Sequence, residues 1–237
     1  FFTRATPMKN VILIAALASG LVALPPAARA ADDANGAWGI VSTSGTITQA
    51  GQPTRWRYGF DAQWRHFDRG NGSDQYVLRP SVGYQLKPGL TAWAGYGYFL
   101  SDPNGGSDRY EHRWWQQLSW SVRTWDWGSL SLRTRLEERI VEDASDTGLR
   151  FRQMIQLAVP FPAQDVTLIT SVEHYTNLRD TDWGARSGFD QLRSYIGVQL
   201  PMSDRFTLEA GYMNQYINRN SVDAVNHLAM LHLRVKL

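Results

Sequence analysis

Residues 130–161 read LSLRTRLEERIVEDASDTGLRFRQMIQLAVPF, and apolar and polar side chains alternate in both halves of this stretch. A period of two indicates β-strands, because successive side chains of a strand point to opposite faces of the sheet. Polar residues around position 145 separate the halves, so the stretch predicts a hairpin with one apolar and one charged face. The apolar face holds Leu130, Leu132, Leu136 and Ile140, followed by Leu149, Phe151, Ile155, Leu157 and Val159.

The same alternation recurs ten times between residue 54 and residue 237. Short turns near residues 88, 126, 162 and 202 alternate with longer polar loops near 70, 105, 145, 182 and 221. Each segment has about the length that crosses a bilayer, and alternation of short turns with long loops is typical of outer-membrane barrels. We therefore predict an all-β fold, an antiparallel transmembrane β-barrel of ten strands with both of its ends on the periplasmic side.

Residues 31–53 are weakly patterned, and a short hairpin there would raise the strand count to twelve. Aromatic residues fall where the two interfacial girdles of a barrel are expected. A secreted β-sandwich also explains the alternation, but it explains neither the loop asymmetry nor the girdles. The girdle residues are Trp56, Trp125, Phe161 and Phe206 at one rim and Trp64, Tyr110, Trp114, Tyr175 and Trp183 at the other.

The beginning of the chain has the features of a secretory signal. Met8 and Lys9 precede an apolar run over residues 11–24, and Ala28-Arg29-Ala30 fits a cleavage site with small residues. We predict a signal segment over residues 1–30 that is cleaved near Ala30, a weakly patterned segment over 31–53 and a barrel over 54–237. The expected location is the outer membrane of a Gram-negative bacterium, with membrane lipids as partners.

Composition excludes several classes of function. Lys and Arg number 24 against 22 Asp and Glu, and three of these basic residues lie in the signal segment, so no basic tract favours nucleic acid. The absence of Cys excludes disulfides, thiolate metal sites and cysteine nucleophiles. No glycine loop with phosphate-binding spacing is present, and we expect no cofactor.

Charged residues on the inward faces of four consecutive strands form the first candidate site. One interpretation is an ion-pair network that fills a narrow barrel, because buried guanidinium groups need carboxylates. The other is an anion-preferring channel, because Arg outnumbers Glu and rings of Arg favour small anions. In either case Glu137 and Glu173 should each contact an arginine. The set comprises Arg133, Arg135, Glu137, Arg139, Arg150, Arg152, Glu173 and Arg193.

Histidines on the lipid-facing side near the long loops raise an enzymatic alternative. An outer-membrane lipid hydrolase would need an outward nucleophile and base at this rim, and Ser194, His174 and Asp190 share one face of neighbouring strands. The other interpretation is interfacial histidine among the girdle aromatics. No Gly-x-Ser-x-Gly motif is present, and the histidines lie on different strands, so we predict no metal site. These histidines are His66, His112, His174 and His227.

Several short motifs, taken together, resemble one bacterial family. They are RTRLEER at 133–139, RFR at 150–152, Glu173, GFDQLR at 188–193 and GYMNQ at 211–215. In order and spacing they are similar to the family called domain of unknown function 2490, from about Trp38 to the end. The resemblance implies an outer-membrane β-barrel and supplies no catalytic residues. We therefore expect a non-enzymatic barrel, either a narrow channel or a structural or binding barrel.

Overall fold

The structure, a computed structural model, describes residues 31–219 and 221–237, so the predicted signal segment lies outside the described residues. Eleven β-strands and one 3-10 turn, Pro162–Gln164, make up this part of the chain. None of its helical segments is long and apolar enough to cross a membrane. The strands are β1 (Asp32–Gln49), β2 (Gln52–Phe67), β3 (Ser73–Lys87), β4 (Leu90–Pro103), β5 (Arg109–Trp125), β6 (Gly128–Val141), β7 (Thr147–Phe161), β8 (Val166–Asn177), β9 (Gly188–Pro201), β10 (Phe206–Ile217) and β11 (Ala224–Val235).

The strands form one closed barrel in chain order. Each pairs antiparallel with the next, and the sheet closes where β1 pairs parallel with β11, from Asp32 opposite Ala224 to Thr43 opposite Val235. The predicted all-β barrel is confirmed. The predicted count of ten or twelve strands is wrong, because the described residues form eleven.

The extra strand comes from the weakly patterned segment, so the barrel begins at Asp32 and not at residue 54. Segment 31–53 forms one long strand and the tight turn at Ala50 and Gly51, both with positive φ (50° and 76°). Its pattern is weak because its apolar residues Trp38 and Ile40 lie on the inward face, where other strands carry charge. Small Gly, Ser and Thr residues fill most of the remainder and leave little contrast between the faces.

Because the number of strands in the described chain is odd, the first strand begins and the last strand ends at opposite ends of the barrel. The amide of Asp32 bonds the carbonyl of Asp223, so β1 begins beside the long loops, whereas β11 runs to the opposite end of the barrel. The expectation that both ends lie on one side is therefore wrong. The alternation of loop lengths is confirmed: the loops at 68–72, 104–108, 142–146, 178–187 and 218–223 share one end, and the turns at 50–51, 88–89, 126–127, 162–165 and 202–205 share the other.

The two faces of the barrel differ sharply in polarity. An apolar cluster inside the barrel and many charged side chains are buried, whereas large apolar side chains on the outward face stay 43–53% exposed. The inner cluster is Trp38, Ile169, Tyr195, Met213 and Leu228. The exposed outward residues include Phe60, Leu78, Leu118, Ile155, Ile196 and Leu231.

Cross-linking tests the parallel closure, because the chain has no natural Cys to interfere. Ala37 and Ala229 are register partners across β1 and β11. We expect the double variant Ala37→Cys with Ala229→Cys to form an intramolecular disulfide on mild oxidation, since neighbouring strands bring Cα atoms within disulfide range. Ala37→Cys with Leu233→Cys is the matched control, about 13 Å out of register, and should stay reduced. Failure of the first pair to cross-link would contradict an eleven-stranded barrel.

Candidate functional site

Strand register brings the inward charges of β6, β7, β8 and β9 into one group. Glu137 lies opposite Arg150, and Arg135 lies opposite Arg152. Glu173 on β8 lies opposite Arg193 on β9. Because cross-strand partners on one face have neighbouring Cβ atoms, each acid lies within reach of several guanidinium groups. We call these residues and Arg133 and Arg139 the Arg–Glu network.

Glu137 is at the centre of this network and is 1% exposed. Arg150 donates to its Oε2 from Nε at 3.0 Å and from Nη2 at 2.7 Å. Arg152 donates to Oε1 from Nη1 at 2.5 Å, and Arg135 Nη1 lies 3.5 Å from the same oxygen. Three guanidinium groups therefore surround one buried carboxylate, and Glu137 supplies the negative charge on the inward face of β6 and β7.

Glu173 forms the second centre. Its Oε1 accepts from Arg133 Nη2 at 2.8 Å and from Arg152 Nε at 2.9 Å, and its Oε2 accepts from the Tyr175 hydroxyl at 2.8 Å. Arg152 thus bridges Glu137 and Glu173. The contacts that the sequence analysis expected of the two acids are present.

Tyr175 contacts the Arg–Glu network and does not lie in the aromatic girdle where we had predicted it. Its side chain is completely buried, and Arg152 Nη2 donates to its hydroxyl at 2.8 Å. The guanidinium groups of Arg152 and Arg193 also lie over its ring, at 4.4 and 4.7 Å. Residue 175 has the parity of Glu173, so the strand pattern itself places Tyr175 on the inward face.

A third carboxylate, Glu111 on β5, was missed in the sequence analysis. Arg113 holds it with two bonds of 2.8 Å, and Arg139 donates from Nε at 2.5 Å and from Nη2 at 3.1 Å. Arg139 therefore pairs with Glu111 rather than with Glu137 or Glu173. The available signal was the inward parity of Glu111 and Arg113 on β5, the strand that precedes the β6–β7 hairpin.

Two arginines of the interior depend on amides and aromatic rings. Arg135 donates to Gln117 Oε1 from Nε and Nη2 at 2.8 and 2.6 Å, and its guanidinium lies 4.1 Å from the centre of the Trp115 ring. Arg193 donates from Nε to Gln191 Oε1 at 3.2 Å and lies over Trp38 at 5.0 Å. Cation–π contact replaces part of the lost hydration of a guanidinium group.

A cavity of about 280 Å³ adjoins the network at the long-loop end of the barrel. Seven arginines and no acidic residue line it, together with five polar uncharged side chains and the apolar Phe67 and Ile217. We call it the arginine cavity. A second cavity of about 230 Å³ lies near the opposite end and includes Ser42, Arg205 and Arg234.

The residues of the hydrolase alternative are not brought together. His174 lies opposite Leu192, whereas Ser194 lies opposite Val172. In the described chain no hydrogen bond joins Ser194, His174 and Asp190. Asp190 lies at a register shift between β8 and β9, and its Oδ2 lies 3.4 Å from Arg150 Nη1 instead of facing outward with Ser194.

Three of the four rim histidines are held by carboxylates and tyrosines. His66 contacts Asp68 and Asp74 at 2.9 Å each, and His112 contacts Glu142 at 3.0 Å and the Tyr96 hydroxyl. His227 contacts the Tyr212 hydroxyl at 2.6 Å, and His174 packs beside Phe189. Within residues 31–219 and 221–237 no three His, Cys, Asp or Glu side chains cluster closely enough to hold a metal ion.

A family model described as "Protein of unknown function (DUF2490)" matches residues 35–226, which span the barrel from β1 into β11. The chain belongs to this DUF2490 family. The resemblance that the motifs indicated is thereby confirmed. An uncharacterized protein of Methylorubrum extorquens is 34% identical over 173 residues, which cover 70% of this chain and 76% of the relative. The match to the DUF2490 model includes every residue of the Arg–Glu network.

Replacing Glu137 tests how strongly the barrel depends on the network. We expect Glu137→Ala to reduce the free energy of unfolding by about 3–5 kcal/mol, because it leaves buried guanidinium groups without their carboxylate. Glu138→Ala is the matched control: the next residue on β6 points to the opposite face and forms no ion pair in the described chain, so its loss should cost under about 0.5 kcal/mol. Urea titration of the folded protein in detergent measures both. Equal losses would show that the buried Glu137 contributes no more to the free energy of unfolding than the outward Glu138.

Proposed function

We propose that this protein is an outer-membrane β-barrel of a Gram-negative bacterium whose filled interior serves a structural or binding role. The observation that carries the proposal is the inverted polarity of the barrel. Charged side chains such as Glu137 and Arg150 are buried inside, whereas Ile196 and Leu231 are 52% and 53% exposed outside. In water this distribution is costly, and in a bilayer it is the favourable one.

Aromatic side chains at both ends of the outward face support a membrane location. At the short-turn end the rings of Trp56 and Tyr84 are 5.0 Å apart, as are those of Trp125 and Trp127. Toward the long-loop end the ring centres of Tyr98 and Tyr110 are 6.3 Å apart. Amphipathic rings at two levels match the interfacial girdles of outer-membrane barrels. The predicted signal segment is consistent with export.

The packed interior favours a binding or structural barrel over an open channel. The arginine cavity and the second cavity lie at opposite ends, and the apolar cluster and the Arg–Glu network occupy the space between them. Permeation that displaced the network would separate Glu137 from Arg150 and Arg152. Breaking a buried ion pair costs several kcal/mol, which is incompatible with rapid permeation.

Membrane insertion is tested by charging one face of β7. Ile155 is 47% exposed on the outward face, and Gln156 is its inward neighbour. We expect Ile155→Arg to destabilise folding into lipid vesicles by about 2–4 kcal/mol if the site lies near the midplane. Gln156→Arg and the volume-conserving Ile155→Leu should cost less.

The unaltered protein should fractionate with the outer membrane. Its recovery as a soluble periplasmic protein without detergent would end the proposal.

Conductance distinguishes a filled barrel from a pore. We expect the purified protein to give no sustained single-channel steps in a planar lipid bilayer, because the buried network and the apolar cluster close the interior. A general outer-membrane porin in the same bilayer is the positive control. Regular, anion-selective steps would instead support the channel interpretation of the Arg-rich interior.

A further inference from the structure

The arginine cavity contains more positive charge than its neighbours neutralise. Arg113 and Arg139 share Glu111, Arg150 pairs with Glu137 and Asp190, and Arg69 pairs with Asp32. Arg65 and Arg193 also line the cavity, and neither has a carboxylate within 4.0 Å in the described part of the chain. The cavity therefore contains two buried guanidinium groups without a direct ion pair.

Arg65 and Arg193 are fixed in place by groups that do not cancel their charge. Arg65 donates to Gln63 and Gln75, and Arg193 donates from Nε to Gln191. The two guanidinium groups also contact the ring of Trp38, at 4.0 and 5.0 Å from its centre. Preorganised guanidinium groups lose little conformational entropy when an anion binds.

Arg193 retains donors for a ligand. Both of its terminal nitrogens, Nη1 and Nη2, lack a hydrogen-bond acceptor among the described residues, although the side chain lines the cavity. Parallel N–H groups of a guanidinium group recognise phosphate and carboxylate oxygens in a bidentate manner. A phosphate monoester carries about −1.5 to −2 charge at pH 7, close to what Arg65 and Arg193 leave uncompensated.

We infer that the arginine cavity binds a small phosphate-bearing anion of the sugar-phosphate class. Its volume of about 280 Å³ is close to the lower end of small-molecule pockets. The amide side chains of Gln75, Gln191, Gln215 and Asn226 line the same space and can bond hydroxyl groups. Arg69 and Arg219 come from long loops, so a ligand reaches the cavity from the loop end of the barrel.

This inference deepens the proposed binding role and rests on it, but not on the membrane location. Isothermal titration of the full chain, purified in uncharged detergent, therefore tests it separately from fractionation and conductance. Glucose 6-phosphate and inorganic phosphate are the probes, and glucose is the uncharged control. We expect saturable binding of glucose 6-phosphate, weaker binding of phosphate and no heat with glucose. No binding of either phosphate compound at about 10 mM would overturn the inference.

Two variants locate the binding. Arg193→Gln should weaken glucose 6-phosphate at least ten-fold, about 1.4 kcal/mol. Arg219→Gln alters only an exposed loop residue, so it tests the cavity even if Arg193→Gln does not fold, and it should weaken binding about three-fold, as expected for one partly screened charge. Arg205→Gln, which removes a charge from the second cavity, is the matched control and should leave the Kd unchanged. Equal weakening by Arg205→Gln would show non-specific charge attraction and overturn the assignment.

The source of the phosphate is distinguished with a second titrant. Micelles of a lipid with a phosphorylated disaccharide headgroup are titrated into the same protein. Competition between these micelles and glucose 6-phosphate, abolished by Arg193→Gln, would assign the site to a membrane headgroup. Binding of glucose 6-phosphate without competition would assign it to a soluble metabolite.

Discussion

The carboxylate of Glu137, with three guanidinium groups around it, is the interaction on which the inside of this barrel depends. A charge that leaves water loses hydration worth many kcal/mol and regains it only from opposite charges and hydrogen bonds. Arg150 and Arg152 reach Glu137 from β7, and Arg152 continues to Glu173 on β8. The relative positions of three strands are therefore linked through two carboxylates, so a slip in register would leave charges buried without partners.

The inward carboxylates are too few to neutralise the inward arginines, and aromatic rings stabilise some of the remaining guanidinium groups. Arg135 lies over Trp115, Arg113 lies 3.6 Å from the centre of the Phe99 ring, and Tyr175 lies beneath Arg152 and Arg193. Inward-facing aromatics thus have two effects: they fill the narrow space, and they present negative ring faces to cations. Aromatic rings and arginine side chains therefore pack together in the interior between the two cavities.

The barrel and its network could be predicted from the sequence because both depend on strand parity. Alternation in residues 130–161 identified Glu137, Arg150 and Arg152 as inward residues, and the register brings them together as expected. Prediction from strand parity failed where the difference in polarity between the two faces of a strand was small or reversed. Strand β1 was not recognised because its apolar residues Trp38 and Ile40 face inward. The expected side-by-side placement of Asp190 and Ser194 was wrong because of the register shift near Tyr175. The arginine cavity could not be predicted from the sequence, because residues of β2 and β3 meet residues of β9, β10 and β11 only when the barrel closes.

The parallel pairing of β1 with β11 has a consequence for how the chain reaches its final form. These are the first and last strands of the described chain, so their contact closes a loop that contains all the others. Until β11 is available, β1 and the growing edge both present unpaired backbone groups that can pair with another chain. Closure of such a long loop is entropically slow, and we expect sealing of this seam to limit the rate of assembly. Shielding of the two open sheet edges until this seam closes would therefore favour the closed barrel over pairing with another chain.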